Sequence, residues 1–244
     1  MEGFDYSRLD SRIERDAYKK RASTPYYYKF RAAKRWILIS AIAVLTGFVA
    51  VFMTVCTRRL SELRFEWISP AFRSQGVNGS NQVLEAFLRN LLFAVSFAVL
   101  GYAIASREVM SHGGGLTKVK ALLNGIKVPK AVRATTLLCK IFGTTFTVIS
   151  GLPAGKLAPL IHCGAIVGGG LSQGKTLKCC NGRKYKFSIV GRRDFRNDRE
   201  KRGFVTMGTA AGVASAFGAP IGTFFSSTLY IVCNCPISTN LFMY

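Results

Sequence analysis

Apolar residues in this chain gather into long uncharged runs, separated by basic or glycine-rich stretches. Residues 36–56 are 21 positions without a charge, and at 1.5 Å per residue a helix of that length crosses a hydrocarbon core of about 30 Å. Residues 57–89 are mixed and polar, with Pro70, Gly76 and the triplet Asn78-Gly79-Ser80. They predict a loop on the lumenal or extracellular face, where an N-glycosylation acceptor would sit. Residues 90–106 form a second apolar run of 17, at the short end for a span. Residues 134–150 are apolar except for Lys140, whose ammonium is costly in lipid and must snorkel or turn to the protein interior. Residues 157–174 are rich in small positions (Gly164, Gly168, Gly169, Gly170) that let helices approach closely. Residues 204–244 carry Gly208, Gly212, Gly218, Ala219, Pro220 and Gly222, which predict two tightly packed broken helices. The first run begins too far in and is too long for a signal peptide. The pattern is that of an all-α polytopic membrane protein with broken re-entrant helices.

Charge orients it. The chain has a formal net charge of +22, and the excess is concentrated at two places. Residues 1–35, a basic arm, hold ten Lys and Arg against five acids, and residues 175–202 hold eleven against Asp194, Asp198 and Glu200. The positive-inside rule puts both on the cytoplasmic side, leaving 36–244 as the membrane domain with one lumenal loop. Lys29, Arg31, Lys34 and Arg35 beside Tyr26, Tyr27 and Tyr28 suit anionic lipid headgroups. No nucleic-acid-binding fold signature accompanies the charge.

Few residues here suit catalysis. The seven cysteines lie mostly in or beside apolar runs, without paired CxxC or Cys/His spacing for a metal. No nucleophile, acid/base pair or phosphate loop is evident, so the chain reads as no enzyme, and no metal or cofactor is implied. What stands out is Gly151-Leu152-Pro153-Ala154-Gly155-Lys156-Leu157-Ala158-Pro159-Leu160-Ile161-His162, a glycine- and proline-bounded turn opening a short apolar segment. Pro159 suits the first turn of a helix, where an N–H is unpaired anyway. A helix start carries about half a positive charge and free N–H groups, which makes it an anion site. A second glycine turn, Gly113-Gly114-Gly115-Leu116-Thr117-Lys118, leads into a short amphipathic stretch. Two interrupted segments in one membrane chain are the trace of discontinuous helices whose ends face a substrate.

These two turns resemble signatures of the CLC chloride channel and chloride/proton exchanger family, GSGIPE at 113–118 and GKEGP at 155–159. A third stretch, residues 195–205 followed by 212–222, is similar to the family's next two helices. The wording of Leu123-Asn124-Gly125-Ile126-Lys127-Val128-Pro129 looks most like the endosomal and lysosomal branch. The resemblance covers about residues 36–228 and only the first of the family's two inverted halves. It implies chloride as the transported ion, an endosomal or lysosomal membrane, and a homodimer or a heterodimer with another CLC subunit. The implied anion-binding residues are Gly113, Gly114, Gly115, Leu116, Gly155, Lys156, Leu157, Ala158, Pro159, Leu160 and Ile161.

The departures from the family fall on its chemistry. Leu157 stands at the gating glutamate, Gly114 at the serine of the central anion site, and Thr117 and Lys118 at the proline and glutamate of the first signature. The inner proton glutamate aligns near Tyr230. An uncharged side chain at Leu157 neither competes with an anion nor carries a proton, so transport uncoupled from protons is expected. The alternative is a non-conducting, truncated subunit or regulator that pairs with a full-length relative.

Overall fold

The computed structural model describes residues 25–73, 79–126, 128, 132–173, 177–178, 184–185, 195 and 198–219. Six α-helices account for most of them: α1 (Pro25–Arg73), α2 (Gly79–Ser106), α3 (Leu116–Leu123), α4 (Ala134–Ile149), α5 (Leu157–Gln173) and α6 (Asp198–Phe217). A 3₁₀ turn, Val109–Ser111, precedes α3. Two two-residue strands, Leu177–Lys178 and Lys184–Tyr185, pair antiparallel between α5 and α6.

Three elements differ from the sequence expectation. The stretch 57–89 is not an irregular loop, because α1 runs to Arg73 and α2 begins at Gly79. Its polar residues support helix instead: Arg58 Nε meets Glu62 Oε1 at 3.2 Å and Arg89 Nη2 meets Glu85 Oε1 at 2.5 Å, each four residues apart, and Thr57 Oγ1 donates to Met53 O. Polarity alone does not end a helix. Likewise 25–35 of the basic arm are the first turns of α1, with Pro25 at a start that needs no N–H from it, and 198–202 of the second basic stretch begin α6. Within 204–244, α6 runs through Gly208 and Gly212 and ends at Gly218, whose φ of 63° closes it; the second of the two expected helices falls outside the described residues. The remainder of 204–244, from 220 on, lies outside the described residues.

Helix α5 is the centre. Residues 159–169 are all buried, as an all-round apolar helix requires. It joins three apolar clusters: Val167 packs with Leu38, Ile42, Phe195 and Phe204, Leu160 and Cys163 with Ala50, Met53 and Ile141, and Ala165 with Val119 and Val205. Its contact with α6 is backbone against backbone. A methyl on Gly164 would fall on the Gly208 carbonyl, one on Gly168 on the Phe204 carbonyl, and one on Gly212 at 2.7 Å from Leu160 O. The paired four-residue glycine spacings, 164/168 and 208/212, are what permits that approach.

The outer helices behave oppositely. Along α1 and α2 large apolar side chains are exposed, among them Phe48, Val51, Leu84, Phe87, Leu92 and Val99. Both contain stretches long and apolar enough to cross a bilayer, 29–69 and 83–106. Continuous exposed apolar faces of this extent suit lipid. The two ends of the bundle are tied by polar contacts. At one, Arg31 pairs with Glu200 at 3.1 Å and lies over the Phe195 ring. At the other, Arg64 bonds Asn90 Oδ1 at 2.6 Å and Ile149 O at 3.1 Å.

Candidate functional site

The two glycine turns meet. Gly115 is the residue before α3, held at φ 84° in the left-handed region where glycine costs little. A methyl on Gly114 would lie 2.8 Å from Ala158 Cβ, and one on Gly115 would fall into the His162 ring. Ala158 and His162 are one turn apart on α5, so the turn at 113–115 lies against the first turn and a half of that helix. His162 is buried there, its ring beside the Gly115 backbone.

Each helix start presents amide donors. Val119 N–H bonds Gly115 O at 3.1 Å and Leu160 N–H bonds Lys156 O at 3.1 Å, which makes Gly115 and Lys156 the flanking residues. The donors without an intrahelical acceptor are then those of Leu116, Thr117 and Lys118 on α3 and of Leu157 and Ala158 on α5, Pro159 having none. Neither first turn contains an acid, and no side chain caps α3. Two partial positive ends therefore converge with no carboxylate of their own to quench them.

The implied site residues divide into an open set and a closed one. Gly113, Gly114, Leu116, Gly155 and Leu157 are exposed, Leu157 at 37%. A methyl on Gly113 or Gly155 would meet nothing within 4 Å. Lys156 and Ala158 are half-buried, and Gly115 and Pro159 are buried. Leu160 and Ile161 direct their side chains into the core, and the Leu160 N–H is already used. Tyr230, at the position of the inner proton glutamate, lies outside the described residues.

Two lysines that the sequence offered only as anomalies hold the first turn. Lys140 is fully buried, and its Nζ donates to Gly113 O at 2.7 Å and Ser111 O at 3.3 Å. It turns inward, as a cation in an apolar run must. Lys118 Nζ donates to Met110 O at 2.9 Å and His112 O at 3.0 Å, and burial keeps its ammonium below the usual lysine pKa. A third cation steadies the other turn. Arg64, bound to Ile149 O at the end of α4, lies beside Gly151, where a methyl would come within 3.0 Å of its Nη1. Gly151 has φ 86°, a conformation few other residues adopt easily. The one sequence signal for Lys140 was its lone charge, and none marked Arg64.

A model of the voltage gated chloride channel family matches residues 91–228. The human H(+)/Cl(-) exchange transporter 7 is 38% identical over 192 residues, 78% of this chain and 23% of its own length. Chloride channel protein D of Dictyostelium discoideum is 36% identical over 193 residues, 79% of this chain and 18% of its own. Chloride channel protein CLC-d of Arabidopsis thaliana is 31% identical over 222 residues, 91% and 26% respectively. The chain thus spans about a quarter or less of the length of the relatives it matches.

Proposed function

This chain belongs to the voltage gated chloride channel (CLC) family, a family of polytopic helical membrane proteins, and from that premise we propose that it forms one wall of a chloride pathway in an endosomal or lysosomal membrane. The observation that carries the reading is the meeting of the 113–115 turn with Ala158 and His162, which brings the starts of α3 and α5 together. A small anion there would be held by N–H groups of Gly113, Gly114, Gly115, Leu116, Leu157 and Ala158. Each charge-assisted bond is worth roughly 1.5–3 kcal/mol, so a few of them offset the several kcal/mol needed to strip a small anion of water.

The pathway is proposed to be uncoupled from protons. Leu157 places an uncharged, half-exposed side chain where the family's signature has its gating carboxylate, so the anion is neither displaced electrostatically nor exchanged for a proton at that point. The open side of the site, at Gly113, Gly114, Gly155 and Leu157, suits closure by a second half of the same protein or by a partner chain. The latter favours a second reading, a non-conducting, truncated subunit or regulator that pairs with a full-length CLC protein.

The test is anion flux from liposomes holding the purified chain alone, read with a chloride electrode and a proton-sensitive dye together. Chloride efflux without proton movement, reduced by Gly114→Val, is the expected result. Silence with the chain alone, together with a change in the flux of a full-length relative when this chain is added to it, would favour the subunit reading, and proton-coupled exchange by the chain alone would sink the uncoupled one.

A further inference from the structure

The segment leading into the first glycine turn is held from two sides. Four consecutive carbonyl groups, those of residues 110–113, are shared in alternation by two ammonium groups: Met110 and His112 by Lys118, Ser111 and Gly113 by Lys140. The lysines come from different elements, α3 and α4, and their charges act on each other. Two cations near one another are tolerated because each faces carbonyl dipoles rather than only its neighbour.

A peptide unit is a rigid plane in which C=O and the following N–H point in opposite directions. A bond that fixes the carbonyl of one residue therefore aims the amide of the next. Lys118, by holding His112 O, sets the direction of the Gly113 N–H, and Lys140, by holding Gly113 O, sets that of the Gly114 N–H. At Gly113 no side-chain packing fixes these planes: the residue sits at φ 69°, and nothing lies within 4 Å of where its side chain would be.

We propose that Lys118 is a positioning residue for the anion-binding turn, acting with Lys140 to aim the amides at 113 and 114 toward the start of α5. This rests on the reading of that turn as an anion site. The clamp demands a donor. A lysine or arginine at 118 supplies several N–H groups, whereas an ionised carboxylate only accepts. Glutamate, the residue in the family's signature, would release Met110 O and His112 O and draw Lys140 away from Ser111 and Gly113.

The experiment is amide hydrogen exchange on the purified full chain in lipid nanodiscs, comparing the wild type with Lys118→Met, Lys118→Arg and Lys118→Glu, in chloride and in gluconate. Exchange at 112–116 is expected to quicken about tenfold or more in the Met and Glu variants, tenfold being the scale set by one of the two charge-assisted bonds lost, and to stay within about threefold of wild type for Arg. Amides within α5 and α6 are expected to stay unchanged. Chloride should slow exchange at 113–116 in the wild type, with half-protection moved to higher chloride by Lys118→Met and restored by Lys118→Arg. Unchanged exchange at 112–116 in both the Met and Glu variants, or equal loosening throughout α5 and α6, overturns the proposal. Faster exchange confined to the turn, with no protection by chloride even in the wild type, upholds the clamp and overturns the anion-site reading.

Discussion

At the scale of single residues, the site is shaped by what small side chains permit. Ala158 Cβ occupies the space that any side chain at Gly114 would need. Gly114→Ala is expected to cost about 1–3 kcal/mol by overpacking, and Gly114→Ala with Ala158→Gly should recover most of it. A double-mutant cycle on denaturation midpoints checks this, and purely additive losses would mean that the two positions do not touch. Leu157 offers the complementary test. A carboxylate at the start of α5 is favoured by the helix end, so Leu157→Glu is expected to weaken chloride binding at neutral pH. Affinity should return as pH falls through the carboxyl pKa, which the helix end holds below the ordinary value of about 4.3. Titration calorimetry at neutral and acid pH reads it, and equal affinity at both would exclude Leu157 from the anion's neighbourhood.

At the scale of elements, glycines that look alike in sequence have opposite meanings. Gly47, in the middle of α1, has nothing within 4 Å of a would-be side chain, whereas Gly208 faces the backbone of Gly164. Gly47→Ala is expected to be neutral or stabilising by up to about 1 kcal/mol from helix propensity. Gly208→Ala should destabilise markedly by prying α5 from α6. Thermal unfolding in detergent separates the two, and equal effects would contradict this packing. The glycine turns and the apolar runs were legible in the sequence because they depend on local backbone needs and on composition. The helical character of 57–73 and 79–89 was not, since Arg58, Glu62, Glu85 and Arg89 read as loop polarity until their four-residue spacing is weighed. The roles of Lys118, Lys140 and Arg64 were hidden for a different reason: each binds carbonyl groups of other segments, and a carbonyl leaves no trace in residue type.

At the scale of the whole molecule, the long first helix gives the membrane a ruler. Helix α1 has 49 residues, about 74 Å, more than twice the hydrocarbon thickness. The chain's two tryptophans both lie on it, Trp36 and Trp67, and both are substantially exposed. Along the axis they are about 46 Å apart, but only the uncharged stretch 36–56, about 31 Å, suits hydrocarbon, because Arg58, Arg59 and Glu62, between it and Trp67, have exposed side chains. Tryptophan favours interfacial zones and exposed charges avoid hydrocarbon, so α1 is expected to cross through 36–56, with Trp36 at one interface and Trp67 beyond the other. Arg64, a turn from Trp67, then lies on the same side of the membrane, and its bonds to Asn90 and Ile149 O bring α2 and the end of α4 toward that surface. Helix α5 has 17 residues, about 26 Å; its start, reached only after the 150–156 turn, is expected to lie below the surface, where a re-entrant anion site would be. Single-tryptophan variants, Trp36→Phe and Trp67→Phe, in vesicles of lipids brominated at chosen depths check the ruler. Trp36 should be quenched most by bromines near the headgroups and least by those at the chain ends, and Trp67 only weakly by bromines at any depth. Strong quenching of either one at the bilayer centre would require α1 to lie across the membrane differently, and the depth assigned to both glycine turns would move with it.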